Sequence, residues 1–255
     1  MLTAREAREL RTLRTTKGRE ETGHFIAEGI RVVEDLLASH LRISWVATAS
    51  SLEDTLRGAK LAEELEAQGI DRRSLPDREF NQLSSTETPQ GVLAVCVIPR
   101  YSLEELTPTE GRSVVLVLDA VQDPGNFGTL VRSSEALGAR AVVALPGTVD
   151  PWNPKSVRAA AGSSFRMPIL ELTEAEAIAG LRSAGYAIIG TAADGKPIGE
   201  VATERTALVV GNEGAGISPG MREQVDGLAG IPLKGRAESL NVAAAAAILL
   251  YELTR

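Results

Sequence analysis

Apolar and polar positions alternate along this chain in two different ways. Over the first hundred residues they predict a small α/β unit. It has a helix over about 3–14, a strand His24–Glu28, and an amphipathic helix opened by Gly29 with Val32, Val33, Leu36 and Leu37 on one face. A strand Ile43–Ala49, a helix Glu53–Gln68 ending at Gly69, and a closing strand Val92–Ile98 complete it. Pro99–Arg112 carries Pro108 and Gly111 among mixed polar residues and reads as a linker. Beyond it, continuous aliphatic runs alternate with helical periods. Strands are expected at Val114–Leu118, Ala141–Leu145, Tyr186–Thr191, Ala207–Val210 and near Leu228–Leu233, with helices at about 126–138, 173–184 and 240–253. Strands that are apolar throughout are buried on both faces, so the fold class is α/β with a mostly parallel sheet covered by helices on both sides. The expected domains are 1–100, a linker 101–112, and 113–255.

Composition narrows the possibilities. At 255 residues, 44% hydrophobic and 24% charged, the chain has the make-up of a soluble globular protein with a substantial core. Charges interrupt the N-terminal MLTAREARELRTLR, unlike a secretory signal, and the richest apolar run, Val242–Leu250, is far short of the roughly 20 residues that span a bilayer. A cytoplasmic protein with no membrane partner is expected. The single cysteine, Cys96, lies in an apolar run and reads as a buried strand residue. One Cys and two His are too few for a zinc site, so no metal is expected. Neither a phosphate-binding P-loop nor the dinucleotide glycine fingerprint is present, which argues against a nucleotide-dependent oxidoreductase. His24 and His40 have no obvious nucleophile beside them, and a hydrolytic triad is improbable.

The net charge of −7 opposes bulk attraction to a polyanion, but cations cluster locally. Arg5, Arg8, Arg11 and Arg14 recur every three residues, followed by Lys17 and Arg19, with Arg31, Arg72 and Arg73 in the same unit. On a helix the first four spiral slowly around one side. They form either a solvated face partly paired with Glu6 and Glu9, or a contact for RNA.

Three polar, glycine-rich loops each follow a buried strand of the second segment, where ligands of parallel sheets bind. Asp119–Gly128 leads into a helix carrying Arg132; Asn126 can serve as its N-cap or face a ligand, and Arg132 can meet an anion near the helix start. Gly211–Ser218 packs three glycines around Glu213, a carboxylate held among backbone donors. Ile231–Asn241 opens the last helix, with Ser239 a possible N-cap and Asn241 beside it.

Together these loops resemble the three motifs of the SpoU (TrmH-like) branch of the SPOUT RNA methyltransferases. They read Asp123-Pro-Gly-Asn126-x-Gly128-x-x-x-Arg132, Gly211-Asn-Glu213-Gly214-x-Gly216-Ile-Ser218, and Ile231-Pro-Leu-x-Gly235-x-x-x-Ser239-Leu-Asn241. All three occur in the family's order and cover essentially the whole second domain. Less specifically, Phe25–Arg31 and Thr88–Gly91 resemble the L7Ae/L30-like RNA-binding module that precedes this domain in ribosomal RNA members. The resemblance implies transfer of a methyl group from S-adenosylmethionine to a ribose 2′-hydroxyl of RNA, a C-terminal trefoil knot, and a homodimer with the site close to the partner. It implies cofactor contacts at Gly211, Asn212, Glu213, Gly214, Ile231, Leu233, Ser239, Leu240 and Asn241, with Leu240 against the adenine and Thr191, at the end of its strand, a looser candidate. It ties Arg132 to activation of the hydroxyl. A guanidinium stays protonated near neutral pH, so clamping a phosphate and stabilising charge on the oxygen suit it better than acting as a base. Asn126 and Asn241 would orient the ribose or each other, Ser239 would accept a hydrogen bond or contact RNA, and Glu213 would organise its loop. The accessory domain favours ribosomal RNA. Transfer RNA, a base-methylating relative, and a catalytically silent ribosome-assembly protein are the alternatives; the Asn126 and Arg132 pair resembles the ribose-methylating branch.

Overall fold

The structure, a computed structural model, describes residues 2–108, 111–236 and 238–255; Thr109 and Glu110 of the expected linker and Ala237 of the third loop lie outside them. In chain order the elements are α1 (Ala4–Thr12), α2 (Thr16–Thr22), β1 (His24–Glu28), α3 (Ile30–Leu37), β2 (Ile43–Ala49), α4 (Leu56–Ala67), β3 (Arg72–Leu75), α5 (Asp77–Leu83) and β4 (Val92–Val97). There follow β5 (Ser113–Leu118), α6 (Pro124–Ala136), β6 (Ala141–Ala144), α7 (Pro154–Ala159), β7 (Ile169–Glu171), α8 (Glu174–Ser183), β8 (Ala187–Lys196), α9 (Ile198–Val201), β9 (Arg205–Val210), α10 (Pro219–Gln224), β10 (Gly227–Ala229) and α11 (Val242–Thr254). They form two compact units, residues 1–99 with 152–165, and residues 100–151 with 166–255.

The first unit is built on a four-stranded sheet of order β1-β4-β2-β3, in which only the β2–β3 pair is parallel. Side chains alternate across each strand, so both faces can be buried. Phe25, Ala27, Val46, Ala94 and Cys96 join Val33, Leu36, Leu61 and Leu65 on one face, while Ile26, Trp45, Ala47, Leu93 and Val95 meet Leu10, Leu13, Leu75 and Phe80 on the other. Burial pushes the Cys96 thiol well above its ordinary value, as befits an inert core residue. The expected helix Glu53–Gln68 is two pieces: a 3₁₀ turn Ser50–Asp54, then α4, whose N-cap Thr55 accepts from the Gly58 N–H at 3.0 Å.

Residues 152–165, expected in the second domain, belong to the first unit and pack on its sheet. Trp152 and Phe165 are buried beside Phe25, with ring centroids 4.7 Å and 6.2 Å from it, and α7 runs between them. The linker reading also needs correction at its start. Residues 100–108 are part of the second unit, where a 3₁₀ turn Leu103–Leu106 seats Leu106 in the core with Leu181 and Tyr186.

The second unit holds a six-stranded sheet of order β10-β8-β9-β5-β6-β7, parallel at every pairing. Val115, Val117, Val143, Ile188 and Val209 pack one face against Leu181 of α8 and Met221 of α10. On the other side α11 packs on α6, β5 and β9. β5 lies inside the sheet, and its C-terminal end is where the first loop begins.

Candidate active site

At the end of β5 the chain turns through Asp119 and Ala120. Ala120 has φ +58°, a left-handed conformation that costs a residue bearing a Cβ about 1–2 kcal/mol. Two bonds to the second loop hold this turn. The buried Asp119 Oδ2 accepts from the Ser218 N–H at 2.6 Å, and the Ala120 carbonyl accepts from Asn212 Nδ2 at 3.0 Å. Asn212 Oδ1 in turn accepts from the Gly214 and Ala215 N–H groups at 3.0 and 3.1 Å. Backbone bonds between Asn212 and Gly216 fold the loop back on itself. Only glycine fits at 211, because a Cβ there would stand 2.1 Å from the Gly216 carbonyl carbon.

The cap of α6 is Asp123, not Asn126: its Oδ1 accepts from the Asn126 N–H at 2.8 Å, and Pro124 follows at the first helical position. Asn126 is thereby released to face the other loops. Its Nδ2 donates to Glu213 Oε1 at 2.9 Å, and its Oδ1 accepts from Asn241 Nδ2 at 2.9 Å. The cap of α11 is Asn241 rather than Ser239; Asn241 Oδ1 accepts from the Ala243 and Ala244 N–H groups at 2.9 and 3.3 Å. Glu213 also accepts from the backbone N–H groups of Gln122 and Asp123 at 3.4 and 3.2 Å. One residue from each loop, Glu213, Asn126 and Asn241, thus forms a single chain of hydrogen bonds ending on a helix N-terminus. Burial raises the Glu213 carboxyl, but hydrogen bonds from Asn126 and from backbone N–H groups outweigh it and hold it below the usual carboxylate range. An ionised carboxylate stabilised in this way is a weak base.

Beside this chain lies a cavity of about 560 Å³ within the second unit. Gly211, Asn212, Glu213, Gly214, Ile231, Leu233, Ser239 and Leu240 line it, as does Thr191; Asn241 does not, although its neighbours Leu240 and Val242 do. Thr191 sits inside β8, which continues to Lys196 instead of ending at Thr191, because β10 pairs alongside it through a register shift. β10 stops at Ala229, so Ile231–Leu233 form cavity wall and not strand. Val210, Val242, Ala245 and Leu249 supply apolar surface. The carboxylates of Glu213 and Glu238 are the charged groups of the lining, and no Lys, Arg or His belongs to it among the described residues. Glu238 and Asp119 escape a reading of the sequence; the signal available is the acid at the mouth of each loop.

Arg132 lies on the exposed face of α6, outside the cavity lining, with no hydrogen bond or ion pair among the described residues. In the first unit, Arg5, Arg8, Arg11 and Arg31 are exposed, and Lys17 is paired with Glu21 at 3.7 Å. Four of the other cations serve the fold. Arg19 is buried and donates to the Leu13 carbonyl at 2.7 Å, which removes it as an RNA contact. Arg14 donates to the Leu83 and Ser84 carbonyls at 2.8 and 3.1 Å, closing the end of α5. Arg72 is held by Thr48 and Glu53, and Arg73 by Glu6 and Asp71.

Residues 113–251 match the SpoU rRNA Methylase family, and residues 5–94 match the MRM3-like substrate binding domain. The chain belongs to the SpoU rRNA methylase family. Over 97% of its length it is 39% identical to 95% of the Bacillus subtilis 23S rRNA (guanosine(2553)-2′-O)-methyltransferase RlmP. Among solved structures it resembles the SpoU methyltransferase AviRb from Streptomyces viridochromogenes in complex with the cofactor AdoMet (TM-score 0.87, 28% identity, 99% of this chain and 97% of that one). It is also similar to the AdoMet-bound rRNA methyltransferase from Sinorhizobium meliloti (TM-score 0.85, 30% identity, 99% and 95%). The chain is therefore similar to SpoU enzymes over its whole length, both units included.

Proposed function

We propose that this SpoU protein transfers a methyl group from S-adenosylmethionine to a ribose 2′-hydroxyl of ribosomal RNA, acting as a cytoplasmic homodimer. The observation that carries the reading is the hydrogen-bonded chain Glu213–Asn126–Asn241 set against a cavity of ligand size with no cation in its described wall. The residues fit the cofactor: apolar side chains for an adenine, turn backbone for polar groups, and carboxylates for a ligand of positive charge. A nucleoside polyphosphate would meet no basic group among the described residues of the wall. The bound cofactor supplies an electrophilic methyl, so the protein's task is to align the ribose oxygen and ease loss of its proton. Asn126 has both ends of its amide committed, which fixes its position. Glu213 orders the loops rather than taking the proton. Arg132, exposed on α6 with no ion pair among the described residues, is the group we assign to clamp the neighbouring phosphate and stabilise charge on the oxygen.

Dimerisation is supported by an exposed stripe on α11, Ala244, Ile248 and Tyr251, at helical spacing beside α6. The trefoil knot expected of the family belongs to the same reading, as do Arg5, Arg8, Arg11 and Arg31 as RNA contacts. The match to a substrate binding domain and the relatives' names favour ribosomal over transfer RNA.

The test is transfer of labelled methyl from S-adenosylmethionine to bulk ribosomal RNA and, separately, to bulk transfer RNA. Label is expected in ribosomal RNA as an alkali-resistant dinucleotide. Arg132→Ala should lower turnover on the order of a hundredfold while cofactor affinity stays unchanged. Label in alkali-labile products, or in transfer RNA alone, would overturn the assignment.

A further inference from the structure

The charge of the cavity wall gives the proposed cofactor site a further property, one that depends on the cavity being that site. The two carboxylates differ in their surroundings. Glu213 is tied into the network, whereas Glu238, at the exposed edge of the third loop, makes no hydrogen bond or ion pair among the described residues. No ion pair within 4 Å engages it among the described residues, and although Lys234 and Arg236 belong to the same exposed loop, no basic residue shares the described wall.

Methyl transfer changes the charge of whatever occupies the cavity. S-adenosylmethionine carries a sulfonium, an ammonium and a carboxylate, and is a net cation. When the ribose oxygen attacks, the bond between carbon and sulfur breaks with its electron pair passing to sulfur. The hydroxyl proton leaves to solvent, and the thioether product, S-adenosylhomocysteine, is neutral overall. The two ligands share adenine, ribose, ammonium and carboxylate, so contacts to those groups cannot distinguish them. A carboxylate near the sulfur can.

We propose that Glu238 is a specificity-determining residue whose carboxylate favours the sulfonium cofactor over its neutral product. Binding of the spent cofactor is thereby weakened once the methyl has left. For unit charges roughly 6 Å apart at a site open to water, the attraction corresponds to a roughly three- to tenfold preference. Dissolved salt should erode it, because the Debye length is about 10 Å at 0.1 M.

Isothermal titration of the full-length chain with S-adenosylmethionine and, separately, S-adenosylhomocysteine tests this, comparing wild type, Glu238→Gln and Glu238→Asp at low and high salt. Glu238→Gln should weaken the methyl donor roughly three- to tenfold and change the product by less than about twofold. Glu238→Asp should keep most of the preference, and high salt should shrink the difference between wild type and Glu238→Gln. Thermal melting of each variant identifies any that are misfolded. Equal weakening of both ligands would overturn the proposal, because the carboxylate would then hold a group they share. No change in either would overturn it too. If wild type binds neither ligand, the cofactor reading of the cavity fails first and the proposal with it.

Discussion

Replacing Asn241 separates two jobs that one side chain performs. Its Oδ1 caps α11 through two N–H groups at 2.9 and 3.3 Å, and its Nδ2 donates to Asn126 at 2.9 Å. Asp at this position keeps the capping oxygen, and its charge is well placed at a helix N-terminus, but it cannot donate to Asn126. Nor can Asn126 turn over to compensate, because its oxygen would then face the Glu213 carboxylate. Asn241→Asp should therefore leave stability within roughly 0.5 kcal/mol of wild type, while Asn241→Ala loses the cap at a cost of about 1 kcal/mol. For a chain of this size that is a fall of about 2–4 °C in melting temperature. Turnover should behave differently. Both variants release Asn126 from its fixed position, and both should lose methyl transfer on the order of ten- to a hundredfold. Thermal melting and transfer of labelled methyl to ribosomal RNA, run on the same preparations, check the two halves. Full turnover in Asn241→Asp would refute the idea that the hydrogen-bonded chain positions Asn126 for the reaction. Melting as low as that of Asn241→Ala would refute the capping assignment.

The placement of charge leads to further outcomes. Changing Arg5 and Arg8 together to Gln should weaken RNA binding and reduce the slope of log affinity against log salt by about 2, leaving cofactor affinity untouched, as titration at several salt concentrations would reveal. Arg19→Ala should act on the melting temperature instead, since its guanidinium is buried against the Leu13 carbonyl; an RNA effect without a stability effect would contradict this. The Glu213 carboxyl is held below its ordinary value in the fold, so its contribution to stability is present above the unfolded value and is lost as pH falls through the folded one. Glu213→Gln should flatten the acid limb of the stability profile below about pH 4.5, and an unchanged limb would show that the network adds no stability through this charge.

Strands β1 and β2 are legible to the residue, because alternating Phe, Ile, Val and Trp between polar breaks has one physical reading. The first two loops are legible too, since each follows a run buried on both faces, whereas the third follows the short, partly buried edge strand β10 and is marked instead by its own polar and glycine residues. What escapes depends on distant partners. Arg72-Arg73-Ser74-Leu75 has little apolar character, yet it forms an edge strand because its arginines find Thr48, Glu53, Glu6 and Asp71. In both helices of the site the cap falls a few residues from where composition places it. Ser239 and Asn126 are good capping types, but the actual start of each helix is set by Pro124 and by packing of α11 on α6, which local composition does not display. Trp152 and Phe165 look like ordinary hydrophobes between two strands, and only the aromatic contact with Phe25 assigns them to the other unit.

That assignment changes how the molecule can be taken apart. The chain passes between its units at residues 99–100, 151–152 and 165–166, so no single cut separates them. A fragment beginning near residue 113 would carry Trp152 and Phe165 away from the sheet that buries them and expose both rings to water. A fragment ending near residue 100 would leave Phe25 uncovered. Grafting this substrate-binding unit onto another methyltransferase would thus require transplanting two separate stretches of sequence, and a change of RNA target by simple exchange of N-terminal segments should yield aggregating chimeras rather than retargeted enzymes.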